Sequence, residues 1–199
     1  HADFGQAQAN GKTVVVEFSS PNTNKPLHLG HLRNILLGWS TSQLLKKAGY
    51  TVKTVQIIND RGIAICKSML AWQRFGEGAT PESTDKKPDH FVGDFYVLFE
   101  KKFQEEYKAW QETEAGQERF AQSAKEGTGA EAFFKSYQQK YFNEYSELGE
   151  AAREMLRQWE AGDADTVALW KRMNAWGYAG VAVTYDRMGV DFDKLYYES

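Results

Sequence analysis

The chain has 199 residues, 42% of them apolar, enough to bury a core as one domain or as one domain with a large insertion. Its formal charge of −3 offers no global grip on nucleic acid, so any such contact has to be local. The single cysteine, Cys66, excludes an internal disulfide, no run reaches the roughly 18 to 20 apolar residues of a membrane span, and nothing at the start resembles a signal peptide. A reduced, cytoplasmic setting without membrane contact is therefore expected.

Residues 13–18, "TVVVEF", form a short apolar run rich in β-branched residues, the pattern of a parallel strand buried on both faces. "SSPNTNKPL" follows as loop by its Ser, Pro and Asn content. From about His28, the apolar residues Leu29, Leu32, Leu36 and Trp39 recur at helical spacing until Lys46 and Lys47 precede Gly49, a good helix end. "TVKTVQII", residues 51–58, reads as a second strand, and "NDRG" breaks it before an apolar helical segment from about Ile63 to Phe75. Strand, helix, strand is a βαβ unit, so the fold class is α/β with a parallel sheet.

Between Gly76 and about Gly149 the composition changes. A Gly/Pro/Ser-rich stretch, "GEGATPESTDKKPD", leads into long amphipathic helices. One carries Phe91, Phe95, Phe99, Phe103, Tyr107 and Trp110 on a single face, and another carries Phe134, Tyr137, Tyr141, Tyr145 and Leu148. Such stripes read as core packing in preference to a stacking platform for RNA. A last helical stretch, roughly Glu150 to Met188, precedes a strand at about Lys194 to Tyr197. The expected organisation is a first βαβ part over 1–75, a helical insertion over 76–149, and helices and a strand returning to the first domain over 150–199. The chain opens on His1 and closes on the strand-like "DFDKLYYES", so a piece of a longer polypeptide is expected.

Ligands of open parallel sheets sit beyond the carboxyl ends of the strands. Glu17, Ser19, Ser20 and Asn22 follow strand one there, and Asn59, Asp60 and Gly62 follow strand two. The helix starting near His28 points its unpaired N–H groups and positive dipole end at the same rim, a ready site for phosphate. His28 and His31 lie three apart on one helical face, and Gly30 between them lets a flat group such as a purine approach the backbone. Two imidazoles with Lys25 can donate hydrogen bonds to oxygens whose charge grows as a phosphoryl group is transferred. The competing readings are a metal pair, which lacks an identifiable third ligand, and two histidines that only cap and pack the helix.

"HLGH", residues 28–31, resembles the HIGH signature of class I aminoacyl-tRNA synthetases, and the longer "VEFSSPNTNKPLHLGHLRN" resembles its arginyl-tRNA synthetase version. The resemblance is densest over residues 13–62. It implies the first half of a Rossmann-like class I synthetase nucleotide-binding fold with a helical insertion. It also implies ATP-dependent activation of L-arginine and its ligation to tRNA(Arg) in translation, with Mg2+ bound to the nucleotide and no protein-ligated metal. On that resemblance His28, His31 and Lys25 are catalytic, and Lys25, His28, Gly30 and His31 bind ATP. Glu17 selects the guanidinium, while Ser20 and Asn22 hold the α-amino group of arginine. A carboxylate is the natural selector of a planar cation.

The second half of such a fold, with its lysine-containing KMSKS-type loop, is not recognisable, since Lys46-Lys47, Lys86-Lys87 and Lys101-Lys102 sit in no such string. The resemblance therefore implies a truncated, inactive segment of a monomeric enzyme. Two rivals stand beside it: another HxGH nucleotidyl-transferring or adenylate-forming enzyme, and a non-catalytic interaction module of the same fold.

Overall fold

The computed structural model describes residues 4–125 and 127–199. They divide into two compact units, one formed by 4–61, 79–93 and 171–199 and the other by 62–78, 94–125 and 127–170.

The first unit is built on three parallel strands, β1 (Thr13–Glu17), β2 (Thr51–Ile58) and β3 (Lys194–Tyr197), in the order β1-β2-β3. Thr13 pairs with Thr51 and Val55 with Lys194. Helix α1 (Leu29–Lys47) carries the chain from β1 to β2. Its end uses Gly49 at φ +86°, with the amides of Gly49 and Tyr50 returning to the carbonyls of Lys46 and Leu45 at 3.1 Å each. Phe18, Ile35 and Val190 form a buried cluster on one face of the sheet, with Val16, Leu27, Tyr185, Met188 and Phe192 packed against it. Gly38 is required there because a Cβ at that position would stand 2.2 Å from Cγ of Phe18.

The expectation that strand one is buried on both faces is not met. Thr13, Val15 and Glu17 are exposed, with Val15 at 64%, and β2 likewise alternates between buried Val52, Thr54, Gln56 and Ile58 and its more open residues. The apolar run misled because the β-branched content that marks a two-faced strand also suits an edge strand packed on one face only.

The second unit is helical. It holds α2 (Ile63–Phe75), the greater part of α3 (Pro88–Gln111), α4 (Glu114–Ser123), α5 (Ala130–Glu144), α6 (Glu147–Glu160) and the start of α7 (Ala164–Met188). The aromatic stripes are core, with Phe99, Phe103, Tyr107, Phe134, Tyr137 and Tyr141 buried. Cys66 lies in the buried face of α2, where burial pushes its thiol up to about 12.

Two expected helices are each broken in two. The stripe from Phe134 to Leu148 ends its first helix at Tyr145, because the Ser146 hydroxyl caps α6 through the Gly149 amide at 2.8 Å. Gly149 is also tight against the chain, where a Cβ would meet the Phe142 carbonyl oxygen at 2.1 Å. The stretch from Glu150 to Met188 breaks at Gly162, φ +78°, and restarts where Asp163 accepts the Thr166 amide at 2.9 Å. Each break is a local capping event inside an otherwise continuous apolar period.

Candidate active site

The β1–β2 ladder stops at an unusual turn. Ser19 has φ +76° and Ser20 φ +22°, a left-handed excursion by two successive non-glycine residues. The Ser19 amide donates to Oδ1 of Asn34 on α1 at 2.6 Å, and Ser19 Oγ lies 2.6 Å from the Tyr185 hydroxyl on α7. Ser20 Oγ donates to Oε1 of Glu17 at 2.9 Å and accepts the Ile57 amide at 3.3 Å. Two residues on, Asn22 forms an isolated parallel bridge with Asn59, whose side-chain amide donates to Oδ1 of Asn22 at 3.0 Å. Glu17, Ser20 and Asn22 are thus brought to one rim at the end of β1, with Glu17 exposed and the other two half-buried.

The loop that follows is held by buried polar groups. The Thr23 hydroxyl donates to Asn174 on α7, whose side-chain amide donates to the Asp60 carbonyl at 3.1 Å. Asp60, which the sequence places after strand two at the ligand rim, is 1% exposed and turned inward. Its carboxylate accepts from the Tyr178 hydroxyl at 2.9 Å and from the amide and hydroxyl of Ser199 at 3.0 and 2.9 Å. Gly177 lets α7 approach this loop, since a Cβ there would meet the Thr23 carbonyl oxygen at 2.5 Å.

The loop delivers half-buried Lys25 and then exposed His28, the N-cap of α1. The two histidines form a reciprocal capping box: Nδ1 of His28 accepts the Gly30 amide at 3.0 Å, and Nδ1 of His31 accepts the His28 amide at 3.1 Å. Their ring centroids are 3.9 Å apart. Gly30 is exposed and accommodates this fold-back, because a Cβ would stand 2.9 Å from Cε1 of His28. Burial holds the His31 imidazole below its ordinary range, and the neighbouring His28 and Lys25 add to the effect. With both Nδ1 atoms accepting, each neutral ring carries its proton on Nε2. Capping and phosphate recognition, which the sequence poses as rival readings, are therefore compatible: one nitrogen of each ring serves the helix and the other remains a donor. Among the described residues no group of three or more His, Cys, Asp or Glu could hold a metal ion.

Asn34, Asn174, Gly177 and Tyr185 support this rim and were not singled out from sequence. Only Asn34 sits beside the motif; the others lie on α7, and no local spacing connects them to it.

A family model described as tRNA synthetases class I (R), catalytic domain, matches residues 1–198. The arginine–tRNA ligase of Parabacteroides distasonis is 55% identical over 186 residues, covering 94% of this chain and 28% of that protein. That of Porphyromonas gingivalis is 51% identical over 199 residues, covering 99% of this chain and 30% of that protein. The chain spans about 30% of the length of these curated relatives. The solved Thermus thermophilus arginyl-tRNA synthetase superposes with a TM-score of 0.62 at 23% identity, over 97% of this chain and 24% of that one, a likeness of fold. From the match over residues 1–198 and the identities above 50% with these two relatives, the chain belongs to the class I arginyl-tRNA synthetase catalytic-domain family.

Proposed function

We propose that these residues form the arginine- and ATP-binding part of an enzyme that activates L-arginine with ATP and ligates it to tRNA(Arg), in the cytoplasm. In the first step the arginine carboxylate attacks the α-phosphorus of ATP, a P–O bond forms, and pyrophosphate leaves. In the second, a hydroxyl of the terminal adenosine of the tRNA attacks the activated carbonyl and AMP leaves.

The observation that carries this reading is the His28–His31 capping box. It leaves two Nε2–H donors at the positive end of a 19-residue helix, where charge on a pentacovalent α-phosphate would develop. Lys25 neutralises the triphosphate, and Gly30 leaves room for the adenine. Mg2+ arrives with the nucleotide. Glu17 pairs with the guanidinium, while Ser20 and Asn22 receive the α-amino group. Exposure of Glu17 favours this role, since Ser20 holds Oε1 in place while the carboxylate can exchange water for a planar cation. The name shared by the bacterial relatives agrees in substrate.

The test is amino-acid-dependent pyrophosphate exchange by the full-length protein, with each of the twenty amino acids, ATP and Mg2+, with and without tRNA. Exchange with arginine alone is expected. Exchange with another amino acid, or with none in either arm, returns the site to a different adenylate-forming enzyme or to a non-catalytic module. A second prediction concerns selection: Glu17→Gln should raise KM for arginine by about a hundredfold or more, as expected for losing a charged hydrogen-bonded pair, and leave KM for ATP within about twofold. Equal loss for both substrates would make Glu17 structural.

A further inference from the structure

We infer that Tyr185 is a positioning residue for arginine recognition, holding the left-handed Ser19–Ser20 turn in the shape that joins Ser20 to Glu17. The inference rests on the reading of Glu17, Ser20 and Asn22 as the arginine-binding set.

Ser19 is pinned from three elements. Its amide donates to Asn34 of α1, and its hydroxyl meets Tyr185 of α7, which in turn accepts from Nε2 of Gln56 on β2. The tyrosine hydroxyl thus accepts from Gln56 and shares a second hydrogen bond with Ser19 Oγ, in which either oxygen can donate. Ser19 and Gln56 are both buried, at 7% and 2% exposure, so water does not readily replace either bond. Burial pushes the Tyr185 phenol up, and the group stays protonated across the working range. The ring packs against the Phe18–Ile35–Val190 cluster but is not enclosed on every side. Phe192 meets it edge-on at 5.4 Å, but Tyr185 also lines a cavity of about 340 Å3 with Val181, Leu195 and Tyr197.

An L-residue resists φ +76°, so the turn persists only while its surroundings over-determine it. Without the phenol oxygen, Ser19 Oγ and Gln56 Nε2 lose their shared partner, and the turn relaxes toward negative φ. That motion carries Ser20, the next residue, away from Glu17. Asn22 is tied independently to Asn59, and the histidines are held by their own cap, so the effect is confined to the arginine side.

The experiment is pyrophosphate exchange by the full-length protein bearing Tyr185→Phe, with KM measured separately for arginine and ATP. Arginine KM should rise by roughly tenfold, the size of one lost hydrogen bond, with ATP KM within about twofold. Adding Ser19→Gly should bring arginine KM back to within about threefold of wild type, because glycine adopts positive φ without a clamp. A merely structural tyrosine would lower thermal stability and would not be rescued by a glycine that adds chain entropy. An unchanged arginine KM, a parallel rise in both KM values, or failure of the Ser19→Gly rescue overturns the proposal. Should Tyr185→Phe not fold, Asn34→Ala, on the exposed face of α1, must give the same arginine-selective rise, and its absence is equally fatal. If the wild-type protein shows no arginine-dependent exchange, the reading beneath the proposal falls; if it does and the variants behave as wild type, only the role of Tyr185 falls.

Discussion

At the scale of single residues, the two histidines each use Nδ1 in the cap of α1, so the cap and the chemistry proposed for Nε2 can be separated by substitution. Asparagine at position 28 still offers an oxygen to the Gly30 amide but has no donor at the reach of Nε2. His28→Asn should therefore melt within about 1 kcal/mol of wild type while its adenylation rate falls by about 10²–10³. His28→Ala should lose the cap as well, about 1 kcal/mol more. Full activity in His28→Asn would remove the histidine from phosphate recognition. The pH dependence has a definite sign. Because the folded state holds His31 below its ordinary 6.5, the unfolded chain binds more protons, and stability falls as pH drops below about 6.5. Glutamine at the third helical position can reach back to the N-cap amide without titrating. Thermal melts at pH 7, 6 and 5 should show a shallower loss for His31→Gln than for wild type, and an identical slope would place the titration elsewhere.

At the scale of elements, α7 does two jobs that sequence periodicity conceals. It leads into β3, and it presents Asn174, Gly177 and Tyr185 to the loops after β1. Gly177→Ala would push a methyl group to 2.5 Å from the Thr23 carbonyl, backbone that is fixed by the Asn59 and Asn174 bonds. A loss of about 1–3 kcal/mol is expected, read from chemical denaturation, where alanine in an open helix position would instead stabilise. A gain in stability would mean the loop yields freely. The strands, α1 and α2 were legible to within a residue because each carries an uninterrupted period bounded by Gly, Asn or Lys signals. The HLGH string likewise located the rim, and Glu17, Ser20 and Asn22 do converge there. The breaks at Ser146 and Gly162 were not legible, since a cap replaces one turn without disturbing the apolar period on either side. Nor were Tyr185 and Asn174, which act across separations of 166 and 151 residues, set by tertiary packing rather than by any local pattern.

At the scale of the whole chain, the distribution of apolar surface bears on what these residues contact in the full-length protein. Helix α1 buries Ile35 and Ser42 yet leaves Leu29, Leu36, Leu37 and Leu44 exposed, at 82%, 54%, 58% and 71%. These leucines lie outside the helix's buried face, and clustered exposed leucines mark a surface that another part of a protein covers. β1 adds an edge strand with Val15 in the open. Given that the chain spans about 30% of its relatives' length, the remainder of the polypeptide is the expected cover. Two measurements on the double substitution Leu37→Glu, Leu44→Lys distinguish this from a bare surface. In the 199-residue chain alone, light scattering should show self-association that the substitutions suppress, with no loss of melting temperature. In the full-length protein the same changes would bury charge in an apolar contact, and each should destabilise by about 2 kcal/mol or more. If the substitutions are tolerated in both, the outer face of α1 is solvent-exposed in the full-length protein as well, and its leucines serve no internal contact.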